Sequence, residues 1–335
     1  MVRSVFLLML IAMMGLQAKA QLIYSDTLTY NEVNKILDDY YAQGKFDSAV
    51  VLLEYAKDRY PEEITESSWN LIMSYGMTQQ HEKMLEEIQW GLNQDYWYGI
   101  DASWSLFDSV RDNKRFQELL AENKLRKQQA QEKARPQKLI QEPEGFHPDS
   151  TYPLFIALHG WGQDIDEFRE NWHADRLDKE FILVYLQSSQ VATMDGYGWQ
   201  DSRKGYEEVI EAYHELDEKY NLDTNRTIIG GFSQGGKLAI YATLEDSIPV
   251  QGFWALCPMM PENFTEEKVV AADEAGKRGV LVTGIKDNML RQQAGMIGTF
   301  RRIGFVYRYI VKKTIGHEFP EDLPELLTKK TPFLY

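Results

Sequence analysis

The chain has 335 residues, 44% of them hydrophobic and 13% aromatic, so a sizeable core is easily buried and a disordered chain is excluded. At this length two domains are the expectation. The formal net charge of −15 argues against nucleic acid or an anionic membrane surface as a partner. The single cysteine, Cys257, can close no disulfide within the chain; in the apolar run "FWALCP" it reads as a small core residue, not a reactive thiol.

The first twenty residues read as an export signal. "MVR" is a short basic start, "SVFLLMLIAMMGL" an apolar core, and "AKA" before Gln21 fits a small-residue cleavage site. A membrane anchor competes with this reading, but the apolar run has 13 residues, and spanning takes roughly 20. Removal of residues 1–20 takes away Arg3 and Lys19 and lowers the charge from −15 to −17. No cysteine follows the cleavage site, so lipoprotein anchoring has no support, and no later segment is apolar enough to span a membrane. A periplasmic or secreted, bacterial setting is the expectation, and it suits a chain without disulfides.

Residues 21–122 form the next block, predicted to be helical. "EVNKILDDYYAQGKFDSAVVLLEYAKDRYPEE" reads as a helix, a turn at Gly44, a second helix and a stop at Pro61. "SSWNLIMSYGMTQQHEKMLEEIQWGLNQD" repeats that layout at an offset of 35, with Tyr40 on Tyr75, Ala49 on Met84 and Leu53 on Ile88. A period near 34, with small or apolar residues where paired helices cross, is the tetratricopeptide layout. The first unit resembles that repeat through Tyr41, Gly44, Phe46, Ala49, Ala56 and Pro61; the second departs from it by lacking the proline. An unrelated α-hairpin bundle is the plainer alternative. "SLFDSVRDNKRFQELLAE" is a further helical piece that could cap the stack.

The stretch 123–137, within "NKLRKQQAQEKARPQK", is polar with no apolar face and reads as a solvated helix end or a linker. Beyond it the pattern changes. "YPLFIALHG", "FILVYLQ", "RTIIGGFS", "VQGFWALCP", "RGVLVTG" and "FVYRYIV" are short β-branched and aromatic runs that alternate with helical ones. That alternation predicts an α/β fold for 138–335, a doubly wound and mostly parallel sheet preceded by the all-α repeat domain.

Within that block, "Gly231-Phe232-Ser233-Gln234-Gly235" is G-x-S-x-G. At Gly and Ser frequencies near 7%, chance supplies about 0.1 such matches in a chain of this size. Its context is more specific, since a strand precedes it and a helix follows, as a nucleophile elbow requires. There the serine is lifted clear of the sheet, and side chains two residues to either side would collide, which calls for Gly231 and Gly235. The plainer reading is a glycine-rich turn with a capping serine.

A serine nucleophile needs a base, and the base needs an orienting acid. Of the six histidines, 81, 147, 159, 173, 214 and 317, only His317 follows Ser233, in a loop after the last strand. The acid should lie beyond the strand between them, and "VLVTGIKDN" puts Asp287 there. Glu245 and Asp246 come too early, while Asp273 and Glu274 lie in a charged helical stretch. "LFIALHGWGQD" puts His159, Gly160, Trp161 and Gly162 at the end of an early strand. The main-chain N–H groups of Trp161 and Gln234 are then the expected oxyanion hole, with His159 and Gly160 ordering the loop. An ordinary turn would explain "HG" alone.

These motifs, in this order, resemble the α/β-hydrolase superfamily. "GFSQGG" resembles its phospholipase/carboxylesterase and acyl-thioesterase branch. "PEGFHPDSTYPLFIALHGWGQD" and "GHEFPEDL" look like small bacterial esterases of the feruloyl-esterase and polyester-depolymerase kind. The resemblance spans residues 138–335, about 60% of the chain. It implies acyl transfer to water through a serine acyl-enzyme; that chemistry needs no cofactor, and no metal cluster is visible in the sequence. One departure is that only 18 residues follow His317, so the final helix should be short.

About 20 residues join "FWALCP" to "RGVLVTG", too few for a cap domain. The long loop "SSQVATMDGYGWQDSRKGY" offers Tyr197 and Trp199, with Trp161, as candidate walls of a substrate pocket. The plainer view is that these rings only pack the loop onto the core. The expected substrate is a small-molecule or saccharide-linked ester or thioester. A peptidase of the same fold is one alternative, although no paired acids for a substrate amine are evident. Another is a non-catalytic, repeat-mediated binding protein, with the helical domain taking a protein partner or docking on its own hydrolase domain.

Overall fold

The computed structural model describes residues 28–335, so the predicted export signal lies outside the described residues. By contacts the chain divides into two compact units, one ending at Gln129 and the other running from Ala130 to Tyr335.

The first unit is helical. Helices α1 (Tyr30–Ala42), α2 (Phe46–Arg59), α3 (Ile64–Met77) and α4 (His81–Asn93) follow one another through short turns, each packing on the next. Thr29 caps α1 through a reciprocal pair with Glu32, which satisfies two amides at the helix start. The 35-residue offset read from the sequence is present in the backbone. Lys45 N–H donates to Tyr40 O and Gln80 N–H to Tyr75 O, both at 2.8 Å. Gly44 and Gln79 hold the matching left-handed positions, at φ 67° and 57°. Ala49 and Met84, and Leu53 and Ile88, are all buried in one core. Beyond a short irregular stretch, α5 (Lys114–Lys133) closes the unit, anchored by Phe116 and Leu119.

Two details differ from the linker expected over 123–137. Helix α5 continues through Lys133, and Asn123 is buried, donating to Tyr98 O and accepting from Tyr98 N–H, each at 2.8 Å. A polar side chain that satisfies a main-chain pair can thus serve as a core residue where no apolar stripe is visible. Strand β1 (Gln137–Gln141) then begins at the residue where the linker was expected to end. It is exposed along most of its length and carries no hydrophobic alternation, which is why the sequence hid it.

The second unit is built on one sheet. Its other strands are β2 (Tyr152–Leu158), β3 (Ile182–Gln187), β4 (Leu222–Phe232), β5 (Val250–Leu256), β6 (Arg278–Gly284) and β7 (Val306–Lys312). The order is β1-β3-β2-β4-β5-β6-β7, with β1 antiparallel and the rest parallel. Helices α6 (Ile165–Arg169), α7 (Asp175–Glu180), α8 (Ser202–Lys219), α9 (Gln234–Glu245), α10 (Glu266–Glu274), α11 (Leu290–Ile303) and α12 (Leu323–Lys330) complete it. Two apolar clusters interleave along the strands. Ile156, Ile229, Phe253 and Leu281 belong to one, and Phe155, Ile228, Trp254 and Val280 to the other. Both faces of the sheet are therefore covered, which is what near-continuous apolar strands require. The final helix, α12, has eight residues, short as expected.

Candidate active site

The site lies where β2, β4, β5 and β6 end, and its centre is the turn from β4 into α9. Ser233 sits in that turn at φ 53° and ψ −111°, outside the regions open to ordinary residues. Such a conformation costs about 1–3 kcal/mol and persists only where its surroundings over-determine it. The surroundings do so here: Ser233 N–H donates to Leu256 O at 2.8 Å, and Lys237 N–H donates to Ser233 O at 2.9 Å. A Cβ on Gly231 would lie 2.2 Å from the Gly235 carbonyl carbon, and one on Gly235 would lie 2.4 Å from His159 O. Both glycines are therefore required by close approach of main chain to main chain, as the motif predicted.

His317 follows β7 and stands over this serine, with Nε2 2.8 Å from Ser233 Oγ and Nδ1 3.0 Å from Asp287 Oδ1. The three residues singled out in the sequence are thus in one hydrogen-bonded row. The Phe232 ring lies 5.0 Å from the imidazole and stacks on Phe319 at 4.3 Å, so the histidine has an apolar wall on one side. Its side chain is about one third exposed, while that of Asp287 is fully enclosed.

Asp287 accepts three more hydrogen bonds. Met289 N–H donates to Oδ1 at 2.8 Å, and Thr283 Oγ1 and Gln293 Nε2 donate to Oδ2 at 2.9 and 3.0 Å. Burial alone would raise its pKa, but these donors and His317 outweigh burial and hold the carboxyl below its usual range. Asp287 is therefore an anion, and it favours the tautomer in which His317 carries its proton on Nδ1 and presents a lone pair to Ser233. Sequence reasoning missed Thr283 and Gln293. Thr283 is visible only as the penultimate residue of β6, and Gln293 only as a polar residue on the buried side of α11.

The loop after β2 brings the other expected group. The main-chain N–H groups of Trp161 and Gln234 donate to no acceptor among the described residues. The loop around Trp161 is tied down on all sides. Gln163 Oε1 accepts Gly160 N–H at 2.8 Å, Gly162 N–H donates to Tyr197 O at 2.7 Å, and Tyr197 N–H donates to Gln163 O at 3.0 Å. His159 is fully buried, donates from Nδ1 to Gly160 O at 2.6 Å and accepts Ser188 N–H on Nε2 at 3.1 Å. Burial pushes its pKa down to about 4, so it is a neutral structural group. Gln163 was in the quoted motif, but its bracing role was not legible.

The pocket reading needs a correction at Trp199. This ring is fully buried, stacks on His159 at 4.8 Å and donates from Nε1 to His159 O at 3.0 Å. It supports the loop from beneath and cannot be a wall open to substrate. Trp161 and Tyr197 remain partly exposed. The long loop is closed by Gln190, whose amide accepts Asp201 N–H at 2.8 Å and donates to Asp201 O at 3.0 Å. Gln131, from the end of α5, braces it further by donating to Ser189 O at 2.8 Å and accepting Val191 N–H at 3.1 Å.

Cys257, read as a core residue, is indeed buried, but it is also part of this neighbourhood. It follows β5 at φ 46°, and its Sγ lies 3.8 Å from the carbonyl oxygens of Gly316 and Glu318, on either side of His317. Burial first, and the Asp287 carboxylate second, push its pKa up to about 12, so it is a thiol.

Comparison with known proteins agrees with this architecture. Residues 184–272, about a quarter of the chain, match a family described as Phospholipase/Carboxylesterase. A bifunctional acetylxylan esterase/xylanase of Neocallimastix patriciarum is 31% identical over 114 residues, 33% of this chain; the match spans only 16% of that relative's length. Acyl-protein thioesterase 1 of Neurospora crassa is 23% identical over 203 residues, covering 52% of this chain and 82% of that one. A crystal structure of a protein from Bacillus cereus ATCC 10987, described as uncharacterized, superposes with a TM-score of 0.52 at 22% identity. That alignment covers 92% of this chain and 99% of the other and speaks to the fold alone. The second unit has an α/β-hydrolase fold, and the stretches matched within it are similar to esterases.

Proposed function

We propose that the protein is a serine hydrolase that cleaves carboxylic esters or thioesters through an acyl-enzyme, with Ser233, His317 and Asp287 as its triad. The observation that carries this reading is the row from Asp287 Oδ1 to His317 Nδ1 at 3.0 Å and from His317 Nε2 to Ser233 Oγ at 2.8 Å. His317 takes the Ser233 proton as Oγ attacks the carbonyl carbon. The anion that forms on the carbonyl oxygen meets the Trp161 and Gln234 N–H groups. The imidazolium, stabilised by Asp287, then protonates the departing alcohol or thiol. Water then attacks the acyl carbon while giving a proton to His317, and His317 returns that proton to Ser233 Oγ as the bond from Oγ to the acyl carbon breaks and the acid leaves. Each oxyanion donor contributes roughly 2.7–4 kcal/mol to lowering the barrier. The chemistry needs no cofactor.

Tyr197 and Trp161 are the proposed pocket residues, next to the oxyanion loop that Tyr197 itself helps to brace. A small-molecule or saccharide-linked ester is the proposed substrate class. The helical unit is proposed to be tetratricopeptide-like, resting on the shared turn geometry at Gly44 and Gln79. Export through residues 1–20 to a periplasmic or external compartment rests on their composition.

The test is labelling with a fluorophosphonate probe beside Ser233→Ala, followed by p-nitrophenyl esters from acetate to octanoate. Labelling of the folded wild type that is lost in Ser233→Ala, with turnover of at least one ester, is the expected result. An unlabelled wild type overturns the proposal and leaves a binding protein as the better account.

A further inference from the structure

Two members of the proposed triad share a set of ligand atoms with Cys257, which the hydrolytic reaction does not use. Cys257 Sγ, an Asp287 carboxylate oxygen and a His317 ring nitrogen all lie within 4.8 Å of one another. They come from three separate connections, after β5, after β6 and after β7, so the fold and not one local turn assembles them. We propose that Cys257, Asp287 and His317 form a binding site for zinc(II), and that its occupation switches off Ser233. The inference rests on the triad reading for the switch, but not for the binding site.

The donor set favours this ion. One thiolate, one imidazole and one carboxylate is a ligand combination that suits zinc, and magnesium or calcium would not be drawn to sulfur and nitrogen. Bond lengths near 2.0–2.3 Å place tetrahedral ligand atoms roughly 3.2–3.8 Å apart, so the present spread needs a contraction of about an ångström. Nδ1 and Oδ1 are already 3.0 Å apart, so the adjustment falls on the sulfur. Cys257 and Asp287 are buried while His317 is exposed, so an ion can enter past the histidine and a water can supply the fourth ligand. The charges also close: a dication, a thiolate and a carboxylate sum to zero, which removes the cost of leaving an uncompensated charge in a half-buried place.

The proton balance explains the switch. The free site holds a thiol proton and an imidazole proton on Nδ1. Zinc takes the sulfur lone pair, and the thiol proton leaves to solvent. Zinc also takes the Nδ1 lone pair, so the imidazole proton moves to Nε2. One proton is released per zinc, and Nε2 becomes a donor. A histidine that donates from Nε2 cannot accept the Ser233 proton, so attack stops even though Ser233 is untouched. Zinc and an active nucleophile are mutually exclusive at this histidine.

The experiment titrates zinc into the wild type, Cys257→Ser and Cys257→Ala against a chromophoric chelator, and follows fluorophosphonate labelling of Ser233 along the same titration. Each protein is normalised to its own metal-free labelling, and two substitutions guard against one that does not fold. The expected result is one zinc per chain in the wild type, with affinity at least tenfold weaker in both variants. Labelling of the wild type falls as zinc binds and returns with EDTA, the variants stay labelled at that zinc concentration, and magnesium has no effect. Equal zinc affinity in all three proteins overturns the site. Full labelling of the zinc-saturated wild type overturns the switch. A metal-free wild type that does not label sinks the hydrolase reading and the switch together, and the chelator titration then decides the site by itself.

Discussion

At the scale of single residues, the site divides into groups that would react and groups that hold them. Gln293 is of the second kind, since its amide reaches Asp287 and Pro258 O and it is fully buried. A hydrogen bond to a charged group contributes about 1.5–3 kcal/mol. Gln293→Leu should therefore lower kcat about tenfold with KM unchanged, as steady-state kinetics would detect. A fall in Tm with intact kcat would instead assign it a packing role alone. His159 gives a pH prediction. Its pKa falls from 6.5 in the free chain to about 4 in the fold, so the unfolded state binds the extra proton between those values. Its contribution is complete above pH 6.5 and is lost as pH falls toward 4, by on the order of 3 kcal/mol. Urea unfolding at several pH values should give a wild-type loss that exceeds the loss in His159→Gln by about that amount; parallel curves would refute it.

At the scale of elements, the elbow and the helical turns are the places where sequence and structure meet most closely. A methyl group on Gly235 would press into His159 O and Leu158 O, both main-chain atoms that cannot move aside. Gly235→Ala should cost about 3 kcal/mol or lose the fold altogether, read by denaturant titration. Gln79 offers the opposite sign. It occupies the left-handed position that Gly44 fills in the preceding hairpin. Gln79→Gly should stabilise the helical unit by about 0.5–1 kcal/mol, because the side chain is what makes that conformation costly. Glycines around Ser233, the repeat at 35 and six of the seven strands were legible in the residues, because each depends on local patterning or on sterics that leave a composition trace. Strand β1, the burial of Trp199 and the bracing by Gln163, Thr283 and Gln293 were not. Those depend on which distant segments come together, and a lone Gln or Trp carries the same letter on a surface and in a core.

At the scale of the whole molecule, each unit has its own core, and the second contains all the residues of the proposed site. Gln131, near the start of that same unit, braces the loop that pairs with the segment around Trp161. A chain beginning at Ala130 should keep ester turnover, and one beginning at Lys138 should lose most of it by loosening residues 189–191; equal activities would show that this brace is dispensable. The central claim is that Ser233 and His317 act as one catalytic unit. The most direct measurement is kcat on one p-nitrophenyl ester for Ser233→Ala, His317→Ala and the double variant. Groups that act together are lost together, so each single substitution should cost roughly 10⁴–10⁶-fold, and the double variant no more than the worse single. Losses that multiply in the double variant, or a single variant that keeps most of its kcat, would contradict the account.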